Sequence, residues 1–228
     1  MIKFEHLSLS FSAGNFQLQE INFEVEKGEF VFLIGPSGAG KTSILKLILR
    51  ELLPTSGKVF VDNLEVSSRR FKEIEKLRQK IGTIFQDFKI IQDKSVIENL
   101  ILSLQILNRP NPKDEALRQL NKVGLENKAN FFPIQLSAGE TQRLAIARAM
   151  AGGREIILAD EPTGNLDPVT SWEIVRLFRE IHDKKTTIIF ATHNADIVNT
   201  LRKRVLVVKK GKIIKDSREG HYKLDQAK

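Results

Sequence analysis

The chain has 228 residues, 41% of them hydrophobic and 28% charged, which is enough for one large soluble core. It has no cysteine, so a disulfide framework, a thiol nucleophile and a cysteine zinc site are excluded. A formal charge of +8 favours an anionic partner, whether nucleic acid, an acidic protein or the inner face of a membrane.

In chain order, Ile2–Phe11 alternates loosely and reads as an edge strand, and 12–15 as a turn. Phe16–Glu26 is a second alternating run, so an antiparallel hairpin is expected. Phe11 either stacks on a purine or covers core. Phe30–Ile34 is an apolar strand followed by Gly35-Pro36-Ser37-Gly38-Ala39-Gly40-Lys41-Thr42-Ser43 and a helix over 41–52. Pro54-Thr55-Ser56-Gly57 stops that helix, and Lys58–Asp62 returns as a strand. A polar helix over Phe71–Lys80 precedes a short buried strand, Ile81–Phe85, that ends at Gln86.

Three helices are then predicted with no strand between them. They are Ser95–Leu107, a helix capped by Asn111 with Pro112 at its first position, and Ser137 to about Met150. The α/β pattern resumes with a strand at Glu155–Ala159, a helix at Ser171–His182, a strand at Thr187–Ala191 and a short helix at Asn194–Leu201. Two strands, Val205–Val208 and Lys212–Ile214, meet around Gly211. The expected architecture is an α/β core, 1–86 and 151–228, with an antiparallel N-terminal β subdomain and an inserted helical subdomain at 87–150. Met1–His6 lacks a signal-peptide pattern and the apolar runs are strand-length, so a cytoplasmic chain is expected.

Strand, glycine-rich turn and helix around Lys41 form the context of a phosphate-binding loop. Glycines let backbone N–H groups turn toward phosphate oxygens, Lys41 reaches the β and γ phosphates, and Thr42 offers a hydroxyl to Mg²⁺. Asp160-Glu161 ends a buried strand. Asp160 suits Mg²⁺ through water, and Glu161, pointing the other way in an extended chain, suits a general base. Ser137 and Glu140 fit a capping box, while Gly139 weakens the helix unless something approaches closely. A helix start with Ser and Gly is also an anion site, and capping alone does not separate the two roles. His193 caps the next helix or bonds a phosphate. Gln86 is a surface amide or a ligand of Mg²⁺ or water.

Taken in order, the phosphate loop, Gln86, Leu136-Ser137-Ala138-Gly139-Glu140, Asp160-Glu161, Asn165-Leu166-Asp167 and His193 resemble the nucleotide-binding subunits of ABC transporters. The resemblance covers the whole chain. It implies a P-loop ATPase core of ABC type and a homodimer with two ATP molecules between its subunits. Lys41 and Thr42 of one copy would grip a nucleotide, and Ser137 and Gly139 of the other would close on its γ-phosphate. Asp160 would support Mg²⁺, Glu161 would activate water, His193 would steady water and phosphate, and Asp167 would connect the two sites. Phe11 falls where the family places an aromatic on adenine. The family signature usually reads Leu-Ser-Gly-Gly; Ala138 at the first glycine, small and helix-compatible, is expected to be tolerated, at the cost of weaker closure and slower hydrolysis.

Within the family, 1–6, Ile84-Phe85-Gln86-Asp87, 122–125, 128–137 and 158–167 resemble the cell-division branch. That implies an FtsX-type integral membrane partner, a peripheral place on the cytoplasmic face of the bacterial inner membrane, and control of peptidoglycan hydrolases. Phe85, Phe88, Ile90, Ile91 and Val96 are the candidate partner cleft. Arg202, Lys203, Arg204, Lys209, Lys210, Lys212 and Lys215 either face anionic lipid or are solvated. The alternatives are a subunit driving lipoprotein, peptide or lipid export, an ATP-binding scaffold with little turnover, and a DNA-associated ATPase. The absence of a long coiled-coil insertion or a zinc module argues against nucleic acid.

Overall fold

The computed structural model describes residues 1–10, 16–183 and 185–220. By contacts the chain divides into two compact units, Met1–Arg78 with the chain from Thr187 onward, and Gln79–Thr186.

The first unit holds two sheets. One is antiparallel, built from β1 (Ile2–Ser10), β2 (Phe16–Val25), β4 (Ser56–Val61) and β5 (Leu64–Glu65) in the order β2-β1-β4-β5. The expected hairpin is there, with Ile2 opposite Val25 and Phe4 opposite Phe23. The expected edge strand is not. β1 lies inside the sheet because β4, some fifty residues later, pairs with its other side. Phe4 and Phe23 stack with ring centroids 4.5 Å apart, an aromatic cross-strand pair of the kind that fixes register. Phe11 and the turn at 12–15 lie outside the described residues.

The second sheet carries β3 (Phe30–Ile34), whose five residues are all buried because both sides are paired. β8 (Thr187–Thr192) and β9 (Arg204–Lys209) flank it in parallel, and β10 (Lys212–Ser217) adds to β9 antiparallel. A fully buried parallel strand reads as a continuous apolar run, which is why Phe30–Ile34 shows no alternation. α1 (Lys41–Ile48) ends four residues earlier than expected, at a turn where Arg50 has φ 53°. α7 (Ala195–Leu201) follows β8. Arg204 is not a lipid-facing cation. It donates to both Asp216 oxygens (2.7 and 2.8 Å) and to Glu29 (3.0 Å), and these partners push its pKa up.

α2 (Ile74–Lys80) begins three residues later than predicted and leads into the second unit. There β6 (Ile81–Ile84) and β7 (Ile156–Asp160) pair in parallel, with Ile84 opposite Ala159. Three helices lie between them in sequence: α3 (Val96–Ile106), α4 (Pro112–Lys122) and α5 (Ala138–Met150). They share one apolar core, including Leu100 and Leu104 from α3, Leu120 from α4, and Leu144 and Ala147 from α5. Ile90 and Val96 are buried in this core, so they are not part of an open cleft; Phe88 packs partly against it. Asn111 does not cap α4 through its side chain. It sits at φ 51° with no such bond, and it is the left-handed turn that Asn tolerates there. α6 (Pro168–His182) starts three residues before the expected position, because Asp167 caps it. Among the described residues no helix is long and apolar enough to cross a membrane.

Candidate active site

In the first unit the loop between β3 and α1 has a buried base and an exposed crown. Gly35, Ala39 and Gly40 are buried; Pro36, Ser37 and Gly38 are exposed. A side chain on Gly35 would meet the Val208 carbonyl at 2.2 Å, so glycine lets the loop leave β3 against β9. Gly38 is different: its φ is 75° and nothing lies within 4 Å of a Cβ built there. Its requirement is backbone conformation, with open space left on that side. Lys41 is 7% exposed, and its Nζ donates to the carbonyls of Gly35 (2.7 Å) and Pro36 (3.2 Å). The ammonium is thus held over the loop. Thr42 is exposed and Ser43 buried, so of the two hydroxyl residues only Thr42 is open to solvent.

His193 follows β8, where Thr192 pairs with Ile34. The chain therefore leaves the sheet at His193 on the edge where it also leaves at Gly35. His193 is exposed. It does not cap α7; Asn194 does, accepting from the N–H groups of Asp196 (3.0 Å) and Ile197 (3.3 Å).

In the second unit the parallel pairing of β6 and β7 brings Gln86 and Glu161 out at one edge. Asp160 and Glu161 are half-buried and Gln86 exposed. Strand alternation does not set the direction of Glu161. Its φ is 47°, so the chain turns there in the left-handed region, a conformation that bears strain in a non-glycine residue. The Gly164 N–H donates to the Glu161 carbonyl at 3.0 Å and closes this turn. A Cβ on Gly164 would come within 3.6 Å of the Glu161 Cβ and 3.9 Å of the Gln86 Nε2. Asn165 Nδ2 donates to the Gln86 carbonyl (3.3 Å). Gln86, Glu161, Gly164 and Asn165 form one cluster.

α5 begins with the expected capping box. Ser137 Oγ accepts from the Glu140 N–H (3.3 Å), and Glu140 Oε2 accepts from the Ser137 N–H (3.0 Å). Glu140 also takes Lys128 Nζ at 2.5 Å, and its carboxyl lies below the usual range, chiefly because of that ammonium. Ser137 and Ala138 are exposed. Gly139 is buried against α6: a Cβ there would lie 2.5 Å from Thr170 Cγ2. The close approach that a first-turn glycine calls for is to Thr170. Thr170 in turn donates Oγ1 (2.5 Å) and N–H (3.0 Å) to Asp167, whose carboxyl these bonds hold below its ordinary value. Thr170 escaped the sequence reading. The three-residue spacing from Asp167 is a helix-cap signal that could have found it.

A family model for ABC transporters matches residues 18–164, well over half the chain. The chain belongs to the ABC transporter family. It is an ATPase of ABC type. It is 42% identical over 224 residues to the cell division ATP-binding protein FtsE of Bacillus subtilis, covering 97% of this chain and 98% of that one. The FtsE of Mycobacterium tuberculosis is also 42% identical, over 99% of this chain and all of that one. Among solved structures, the ATP-binding cassette MJ0796, a dimer bound to ADP and Pi in a post-hydrolysis state, superposes with a TM-score of 0.88. It is 33% identical and covers 97% of this chain and 100% of that one.

Proposed function

We propose that this chain is the ATP-hydrolysing subunit of a cell-division complex on the cytoplasmic face of the bacterial inner membrane, paired there with an FtsX-type integral membrane protein. The observation that carries the reading is the end-to-end likeness to cell division ATP-binding proteins of distant bacteria. The working form is a homodimer that closes on two ATP molecules, a reading supported by the dimeric cassette to which the fold is similar.

In this reading the N–H groups around Gly38 and the start of α1 take the phosphates, and Lys41 swings from its two loop carbonyls to the β and γ oxygens. Ser137, Ala138, Gly139 and Glu140 of the second copy present the start of α5 to the γ-phosphate. Glu161, set by its left-handed turn, takes the proton of the attacking water, and His193 holds the water and the γ-phosphate. Thr42, Gln86 and Asp160 carry hydroxyl, amide and carboxylate oxygens, the hard donor type that Mg²⁺ takes. Held by such oxygens, Mg²⁺ would neutralise charge on the β and γ oxygens. Asp167 links the two sites through Thr170 and Gly139. The segment 87–150 acts as the helical subdomain that meets the membrane partner, with half-buried Phe85, Phe88 and Ile91 at the contact. Lys210, Lys212 and Lys215 are exposed, which suits contact with anionic lipid.

The test is copurification of the chain with its membrane partner and reconstitution of the pair, comparing native and Glu161→Gln forms. Stable association, ATP turnover by the native form and ATP binding without turnover by the variant are expected. Association with a solute-specific permease instead would overturn the division role in favour of export.

A further inference from the structure

The loop after Gln86 runs through two consecutive non-glycine residues in the left-handed region, Phe88 at φ 60° and Lys89 at φ 49°. A bulky residue such as Phe adopts that region only when its surroundings impose it. The imposing group is on α5. Arg148, which is half-buried, donates Nη1 to the Lys89 carbonyl (2.5 Å) and Nη2 to the Phe88 carbonyl (3.0 Å). The planar fork of Arg matches two adjacent acceptors in a way that an ammonium does not. Burial lowers the pKa of Arg148, and Arg154 stands close enough to feel its charge. A guanidinium bonded to two adjacent loop carbonyls signals a specific demand on that loop.

The rest of the loop is pinned at both ends. Asn165 donates to the Gln86 carbonyl (3.3 Å). Asn99, fully buried on α3, accepts from the Ile91 N–H and donates to the Ile91 carbonyl, both at 3.0 Å. Between these two points the Phe88 N–H donates to the Phe85 carbonyl (3.0 Å) and the Lys89 N–H to the Asp87 carbonyl (2.6 Å), and Arg148 ties this turn to α5.

We propose that Arg148 is a positioning residue for Gln86: its guanidinium fixes the left-handed pair Phe88-Lys89, and so makes the Gln86 loop move as one body with α5. This rests on the ATPase reading above. Ser137 starts the helix that Arg148 nearly ends, so whatever docks at that start is felt by the backbone two residues beyond Gln86.

Arg148→Lys keeps the charge and loses the fork. The expected result is a kcat lower by about tenfold, with the Kd for ATP within about twofold of native. Amide exchange should quicken at Phe88, Lys89 and Ile91 and stay as native at the start of α1. In a Gln86→Ala background, Arg148→Lys should lower kcat by less than about twofold further, because both changes remove one function. Native kcat in Arg148→Lys, unchanged loop exchange, a parallel fall in ATP affinity, or fully multiplicative losses in the double variant would each overturn the proposal. A native chain without turnover would instead sink the ATPase reading, and this inference with it.

Discussion

Two helix starts in this chain are built in opposite ways. α1 begins at Gly40, with φ 110°, no side-chain cap and no acid in its first turn. α5 begins at Ser137 in an extended conformation, closed by reciprocal bonds with Glu140, and Glu140 is an anion. The first start has no side-chain cap at Gly40, and the positive end of such a helix suits an anion. The second is complete in itself. Its carboxylate opposes an incoming phosphate, although Lys128 at 2.5 Å offsets that charge. On the proposed function, the first start would hold the phosphates of its own copy's nucleotide, whereas the second would meet a phosphate only when a partner copy brings it.

Glu161→Gln should lower turnover by about 10²- to 10⁴-fold and leave ATP binding intact, since only the base is lost. A stopped-assay comparison with the native form checks it. At the open helix start, Lys41→Ala should weaken ATP binding by about 10- to 100-fold, measured by equilibrium titration, because a charge-assisted contact to phosphate disappears.

At the closed start, Gly139→Ala should destabilise the fold by about 1–3 kcal/mol, because its Cβ would overlap the Thr170 methyl. Thr170→Ser, which removes that methyl and keeps a hydroxyl for Asp167, should restore most of the loss in denaturant melts. The smallest effect belongs to Glu140→Gln, which keeps the cap and loses the ion pair with Lys128. Because the Glu140 carboxyl is held below its ordinary 4.5, its contribution is present at neutral pH and lost as pH falls through the lowered value. The difference in Tm between native and variant should therefore be small at pH 7, shrink with added salt, and close in the acid range.

The phosphate loop was legible in the sequence because its determinants are adjacent: an apolar strand, glycines, Lys41 and an apolar helix. The capping box at Ser137 was legible for the same reason. What escaped depends on distant partners. β1 becomes an interior strand only when β4 arrives, and Gly139 is explained only by Thr170, thirty-one residues on. The direction of Glu161 follows from a left-handed turn that no strand pattern announces. Arg148 fits the helical pattern of α5 without a signal, and its task is visible only beside the carbonyls of Phe88 and Lys89.

The meeting of the two helix starts across a dimer is tested most directly by sedimentation of the Glu161→Gln form with saturating ATP and Mg²⁺, alone and with Ser137→Phe added. The expected result is a dimer that requires ATP and reverts to monomer when Phe occupies position 137, with each monomer still binding ATP. A monomer at every ATP concentration, or a dimer indifferent to both ATP and the residue at 137, would contradict it.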